Sequence, residues 1–362
     1  MSAVSLKNVC KQYGKVKAVS GISMDIAKGE FIAFLGPSGC GKSSTLRMIA
    51  GLEEITEGDI LFDGASVIDK KPSDRNVSMA FENYALYPTL TVYENLAFPL
   101  RSAGKKGFEV DGRVREVAEI MCITELLEKK PSNLSGGQAQ AVGLARALIR
   151  KPNILLLDEP ISHLDTSQRF HMRMYIKRLH IELGYTMILV THDQEDSMSL
   201  ADRVAVMCEG KINQIASTRE IYDHPADLFV ASFIGDLPMN FVDGKVEKKN
   251  EKAYFKYLNL GIELPDGFIK QSFPNEVVLG IRPYHLKVHP AQSGEGSILA
   301  EVFVTESLGD LNVVTVQIMD ARLQVAMPTS YKAKPNTPVS VSIDKSRILL
   351  FDKSTGKAIS TL

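Results

Sequence analysis

Gly36-Pro37-Ser38-Gly39-Cys40-Gly41-Lys42-Ser43 satisfies the phosphate-binding pattern G-x-x-x-x-G-K-[S/T] at every defined position. An apolar strand-like run, Phe31–Leu35, feeds this stretch, and a helix-like run at 44–50 leaves it, with Gly51 as the stop. Glycines at 36, 39 and 41 open backbone conformations closed to other residues, so successive N–H groups can converge on phosphate oxygens at a helix N-terminus. In that chemistry Lys42 reaches the β- and γ-phosphates and the Ser43 hydroxyl ligates Mg²⁺. The pattern implies that the chain holds a nucleoside triphosphate. Cys40 lies inside the loop, where its alkylation is expected to block nucleotide binding sterically.

Working outward, residues 4–35 alternate apolar strands with turns near Tyr13-Gly14 and Ala27-Lys28-Gly29-Glu30, a small β-layer ahead of the loop. Tyr13 is either a stacking platform for a purine or an aromatic packed at a turn. Residues 58–62 read as a strand ending in the turn Asp63-Gly64, and 77–81 as another. The segment from Glu82 to Val92 is rich in aromatics but carries Pro88, so it is a packed connection or a docking surface. Helical spacing over 113–130 suggests an inserted helical subdomain at about 86–150.

Leu134-Ser135-Gly136-Gly137-Gln138 precedes an alanine-rich helical run. Ser135 there can meet an anion or simply cap the helix. Ile154-Leu155-Leu156-Leu157 reads as a strand buried on both faces and ends in Asp158-Glu159-Pro160. Adjacent strand residues point to opposite sides, so one carboxylate can hold Mg²⁺ while the other faces water; a solvated acidic turn is the alternative. A further buried strand over 187–190 leads to Thr191-His192-Asp193, which places His192 where ligands bind in open α/β sheets. Helical spacing over 220–234 with Gly235 as terminator is expected to close this first domain.

Beyond Gly235, short β-branched runs at 241–246, 277–281, 298–304, 313–318, 323–327, 339–343 and 348–351 indicate an all-β barrel or sandwich. The expected division is 1–235 and 236–362. Lysines and arginines number 42 against 43 aspartates and glutamates, so no global field favours nucleic acid. No signal-peptide core or run of about 18 apolar residues is present, which leads to the expectation of a chain in the cytoplasm that spans nothing. Four cysteines without metal-like spacing suit free thiols.

In their order, these motifs resemble the ATP-binding subunit of an ABC transporter. Residues 36–43 are similar to its Walker A motif, 134–138 to its LSGGQ signature and 154–159 to Walker B. Ser162-His163-Leu164-Asp165 resembles the D-loop and His192 the switch histidine. Residues 233–241 and Leu279-Gly280-Ile281-Arg282-Pro283 are similar to segments of the maltose and glycerol-3-phosphate type importers, whose C-terminal β domain is regulatory and helps to pair subunits. The resemblance implies an α/β P-loop NTPase with a mixed, largely parallel sheet, an antiparallel layer and a helical subdomain, followed by an OB-like barrel. It implies a homodimer or heterodimer with two ATPs sandwiched between subunits. Tyr13 would stack on adenine, while Gly36, Pro37, Ser38, Gly39, Cys40, Gly41, Lys42, Ser43 and Ser44 hold the phosphates. Ser43 and Asp158 would hold Mg²⁺, with Glu82 close to it; Glu159 would polarise the attacking water and His192 would contact the γ-phosphate. Ser135, Gly136, Gly137, Gln138 and Asp165 belong to the facing subunit's contribution. The segment 84–100 would receive a cytoplasmic helix of a permease. The implied partners are two transmembrane permease subunits and, through them, an extracytoplasmic solute-binding protein. The implied location is the cytoplasmic face of the membrane, and the cargo a sugar, sugar alcohol or glycerol phosphate.

Several positions depart from the family pattern. Glu82 stands where relatives carry Gln, bringing a negative charge toward the γ-phosphate. Ala139-Gln140-Ala141 replaces the usual Gln-Gln-Arg, His163 replaces Asn, and Tyr284 follows Arg282-Pro283 where Glu is common. These departures bear on the rate of hydrolysis and favour pairing with a second, different ATPase subunit. Other readings are a hydrolysis-poor regulator and a soluble ATPase of the same family.

Overall fold

The computed structural model describes residues 2–81, 85–268, 272–291 and 298–359. They divide into two compact units, Met1–Thr218 and Arg219–Leu362.

The first unit opens with an antiparallel pair, β1 (Ser2–Tyr13) and β2 (Val16–Ala27), both much longer than the short runs read from sequence. Next come β3 (Phe31–Leu35), α1 (Lys42–Ala50), β4 (Glu57–Phe62), β5 (Ala65–Ser66) and β6 (Val77–Ala80). The Asp63-Gly64 turn joining β4 to β5 has positive φ at both residues, 47° and 84°, the conformation a two-residue hairpin requires. Three helices follow, α2 (Val92–Ser102), α3 (Phe108–Ile120) and α4 (Gly136–Leu148). The helical run expected over 113–130 stops at Ile120, because Cys122 turns left-handed at φ 51° and the apolar residues beyond it pack from irregular backbone. Then β7 (Ile154–Asp158), α5 (Thr166–Leu183), β8 (Thr186–Thr191), α6 (Gln194–Leu200), β9 (Arg203–Cys208) and β10 (Lys211–Ser217) complete the unit.

Strand order is β2-β1-β4-β5 in the antiparallel layer and β10-β9-β3-β8-β7-β6 in the main sheet. Pairing is parallel from β9 through β6 and antiparallel only at β10. All five residues of β3 are fully buried, as a strand covered on both faces must be. Ile32 and Phe34 share a core with Leu46, Met48 and Ile49 of α1 and with Val4, Leu6, Ile22 and Ile60 of the antiparallel layer. The helix α1 is thus held by apolar packing between the two sheets, and its N-terminus is fixed at the end of β3.

The C-terminal end of α1 is fixed by polar contacts. Gly51, at φ 75°, closes the helix with its N–H on Met48 O. The buried Arg75 guanidinium donates to Met48 O, Ile49 O, Ile68 O and Lys70 O at 2.8–3.3 Å. A cation on the last carbonyls also opposes the helix dipole favourably.

In the second unit, two short helices, α7 (Thr218–Asp223) and α8 (Leu228–Phe233), replace the single helical run expected over 220–234, since Pro225 cannot continue the first. The rest is all-β: β11 (Asn240–Lys249), β12 (Lys252–Tyr257), β13 (Leu260–Glu263), β14 (Val277–Ile281), β15 (Leu286–Pro290), β16 (Ile298–Ser307), β17 (Leu311–Ile318), β18 (Ala321–Pro328), β19 (Pro338–Ile343), β20 (Leu349–Asp352) and β21 (Ala358–Ile359). Sheets ordered β13-β12-β11-β14-β20-β21 and β15-β19-β16-β17-β18 close on one core, in which Phe255, Leu279 and Ile281 meet Val302, Val314 and Val341. All seven strands read from sequence are present; β12, β13, β15 and β21 were not read. No helix among the described residues is long and apolar enough to cross a membrane.

Arg75→Ala removes four hydrogen bonds, two of them to the carbonyls of buried Met48 and Ile49, and is expected to cost about 2–4 kcal/mol. The check is the urea-unfolding midpoint; a loss below about 0.5 kcal/mol would contradict the capping role.

Candidate functional site

Parallel pairing brings three strand ends to one edge of the main sheet. Leu35 of β3 lies opposite Thr191 of β8, and Asp158 of β7 opposite Val190 of β8. The loop after β3, the carboxylates after β7 and the histidine after β8 therefore meet.

The loop's glycines answer to distinct constraints. A Cβ on Gly36 would lie 2.2 Å from Met207 O, and one on Gly41, at φ 100°, would lie 2.4 Å from Ala18 O. Both positions are closed to any side chain. Gly39, at φ 81°, has nothing within 4 Å on its Cβ side, so the loop is packed at its base and open at its lip. Lys42 is buried, and its ammonium donates to Gly36 O at 2.8 Å and Pro37 O at 2.9 Å. Among the described residues no carboxylate forms an ion pair with this cation held under the loop, which suits an incoming anion.

Ser43 Oγ donates to Asp158 Oδ1 at 3.0 Å, so a hydroxyl and a carboxylate already stand side by side. No cluster of three or more His, Cys, Asp or Glu able to hold a metal occurs among the described residues. That inventory fits Mg²⁺, which is bound through one or two protein oxygens plus substrate phosphates rather than in an all-protein cage.

Glu159 adopts φ 47°, a conformation costing a non-glycine residue about 1–3 kcal/mol and typical of functional turns. Its N–H donates to Val190 O at 2.9 Å, and its Oε2 lies 3.0 Å from His192 Nδ1. His192 is about half exposed and Glu159 about one-fifth, so the pair borders open space.

Other expected site residues lie elsewhere. Ser135 caps α4: its Oγ accepts from Gln138 N at 3.3 Å while Gln138 Oε1 accepts from Ser135 N at 3.0 Å. The capping alternative is thus realised, and Ser135 and Gly136 remain exposed. Asp165 caps α5 by accepting from Gln168 N at 2.8 Å, and the Gln168 side chain lies against Gly137. Tyr13 is 44% exposed, and its hydroxyl bonds Glu53 and approaches Ser44 Oγ at 3.3 Å, so the ring stands beside the start of α1. Glu82 lies outside the described residues.

Asn95, fully buried in α2, organises the aromatic segment: it accepts from Tyr87 N and donates to Tyr87 O, Leu90 O and Thr91 O. The rings of Tyr87 and Phe98 meet with centroids 5.0 Å apart, tilted by 59°, and are each more than 40% exposed. Sequence reading missed Asn95, and it missed Arg169 and Asp193, which bond each other at 2.9 Å behind the Glu159–His192 pair. Arg169 and Asp193 lie 24 residues apart, and the partners of Asn95 are backbone groups of an irregular loop, so no side-chain spacing marks any of the three.

The Cys40 thiol is buried, and burial raises its pKa, partly offset by Lys42. The thiolate is the reactive form.

A family model described as ABC transporter matches residues 19–162. The chain is 43% identical to a trehalose/maltose import ATP-binding protein of Thermococcus litoralis over 99% of its own length and the whole of the relative. It is 41% identical to an sn-glycerol-3-phosphate import ATP-binding protein of Rhizobium johnstonii, covering 99% of this chain and 96% of that one. Among solved structures, a dimeric ATP-binding cassette in a post-hydrolysis state with ADP and phosphate is similar over 60% of this chain and 99% of its own, at 32% identity and a TM-score of 0.54.

The burial of Cys40 makes alkylation of the folded chain slow. With iodoacetamide at pH 7.5, exposed Cys122 should be modified at least about tenfold faster than Cys40. Mass mapping over time checks this; equal rates at both cysteines would contradict it.

Proposed function

The chain belongs to the ABC transporter family, and on that premise we propose how this geometry does the family's work. The protein is an ATP-binding, ATP-hydrolysing subunit that energises solute import through a membrane permease. The observation that carries the mechanism is the meeting of Lys42, the Ser43–Asp158 pair and the Glu159–His192 pair at one sheet edge.

Loop N–H groups and Lys42 bind the β- and γ-phosphates, and the dipole of α1 adds to their pull. Ser43 and Asp158 would hold Mg²⁺, which would supply neutralisation of the phosphate charge. Glu159 orients the attacking water and takes its proton. His192 donates to the γ-phosphate. To hold Glu159 from Nδ1 and a phosphate oxygen from Nε2 together, the ring must be the imidazolium; as the neutral Nε2–H tautomer it serves the phosphate and releases the Glu159 carboxylate toward water.

One copy supplies donors to only part of the γ-phosphate, and Ser135, Gly136, Gly137 and Gln138, of which the first two are exposed, contribute nothing to it within this chain. The reading is therefore a dimer in which each copy's signature segment completes the other's site, with Asp165 beside it. The cargo is a sugar, sugar alcohol or glycerol phosphate, as the names of the relatives suggest. The exposed Tyr87–Phe98 pair marks where a permease helix docks at the cytoplasmic face. Two permease subunits and an extracytoplasmic binding protein complete the assembly.

The test is ATP hydrolysis by the chain captured with its permease from gently solubilised membranes. Glu159→Gln should slow turnover at least about 100-fold while leaving ATP affinity within about threefold. Turnover like that of the native chain would overturn the assignment of Glu159.

A further inference from the structure

Glu159 and His192 come from different strands, and each is followed immediately by a tight turn. Glu159 O accepts from Ser162 Oγ at 2.9 Å, closing the first turn on itself. In the second, Asp193 N donates to Thr191 Oγ1 at 2.9 Å, and Asp193 Oδ1 accepts from Asp196 N at 3.1 Å, starting α6. The side chain of Arg169 touches both turns. Arg169, one turn into α5, donates from Nη2 to Ser162 O at 3.2 Å and from Nη1 to Asp193 Oδ2 at 2.9 Å.

We propose that Arg169 is a positioning residue for hydrolysis, locking the turn after Glu159 to the turn after His192 so that both groups address one phosphate. The proposal rests on the hydrolytic roles given above to those two residues. Three observations carry it. The planar fork of a guanidinium can serve two diverging acceptors at fixed separation, which an ammonium cannot. Arg169 Nε is buried and has no hydrogen-bond partner among the described residues, so the two-way bridge dictates the orientation of the group at the expense of its own saturation. And the same helix face repeats the device four residues on, where Arg173 reaches Glu195 Oε1 at 2.7 Å and Asp196 Oδ1 at 3.3 Å and ties α6 to α5 a second time.

Burial and the nearby Asp193 push the Asp196 carboxyl up to about 7, against the pull of Arg173 and Arg169. Asp196 therefore gives up much of its charge near neutrality. Asp165 caps α5, and the Gln168 side chain of the same first turn lies against Gly137 at the start of α4.

The experiment compares native, Arg169→Lys and Arg169→Ala chains in the permease complex, measuring kcat, ATP Kd and amide hydrogen exchange. Both variants should lose about 10- to 100-fold in kcat with ATP Kd within twofold, and exchange should quicken together over 159–164 and 191–196. Unchanged kcat in Arg169→Ala, recovery of full kcat by Arg169→Lys, or faster exchange in one segment alone would overturn the bridge. So would a parallel fall of ATP affinity and kcat, the mark of general destabilisation. Exchange is read without turnover, so an inactive native complex would sink the hydrolytic reading while the exchange pattern still decides the bridge.

Discussion

Parallel pairing of β7, β8 and β3 is the constraint on which everything functional depends. A strand register slip of one residue would turn Asp158 to the wrong face and carry Thr191 away from Leu35. With the register in place, three loops that are more than 100 residues apart at their extremes share one edge, and each can bring a different group: a cation and donors, two carboxylates, an imidazole. The strands can hold that register because their interiors are apolar and every residue of the three is buried.

The same edge explains why strain is tolerated at Glu159. Its left-handed backbone is bridged to β8 through Val190 O and closed below by Ser162, so neighbouring hydrogen bonds over-determine the turn. At the far end of α1, Gly51 and Arg75 finish what the loop begins: the helix is fixed at both termini by backbone carbonyls, and its apolar side is fixed by two sheets. A phosphate bound at the N-terminus meets a helix that does not have to reorganise, which is how electrostatic stabilisation becomes effective.

Much of this was legible in the chain itself, because the decisive residues are local. The loop at 36–43, the apolar strand before Asp158 and the strand before His192 each carry their meaning within about ten residues. Short-range turn chemistry was legible too, as in Asp63-Gly64. What escaped is non-local or competitive. Arg75 and Arg169 bond carbonyls and carboxylates up to 27 residues away, and Asn95 reads only as a polar residue in a helix until the loop folds over it. The helix expected to continue past Ile120 is cut where Cys122 turns left-handed, and Met121, Ile123 and Leu126 are buried from a turn and a short 3-10 helix, Thr124–Leu126. The two long strands β1 and β2 bend through register shifts, and those interrupted the alternation that sequence reading relies on.

The central claim is that this sheet edge binds a nucleoside triphosphate through Lys42 and the loop around it. Calorimetric titration of ATP into the native chain and into Lys42→Ala tests it most directly. The account predicts binding by the native chain and an affinity at least about tenfold weaker in the variant, as befits loss of a charged hydrogen-bonding group. Equal affinity in the two chains would contradict it.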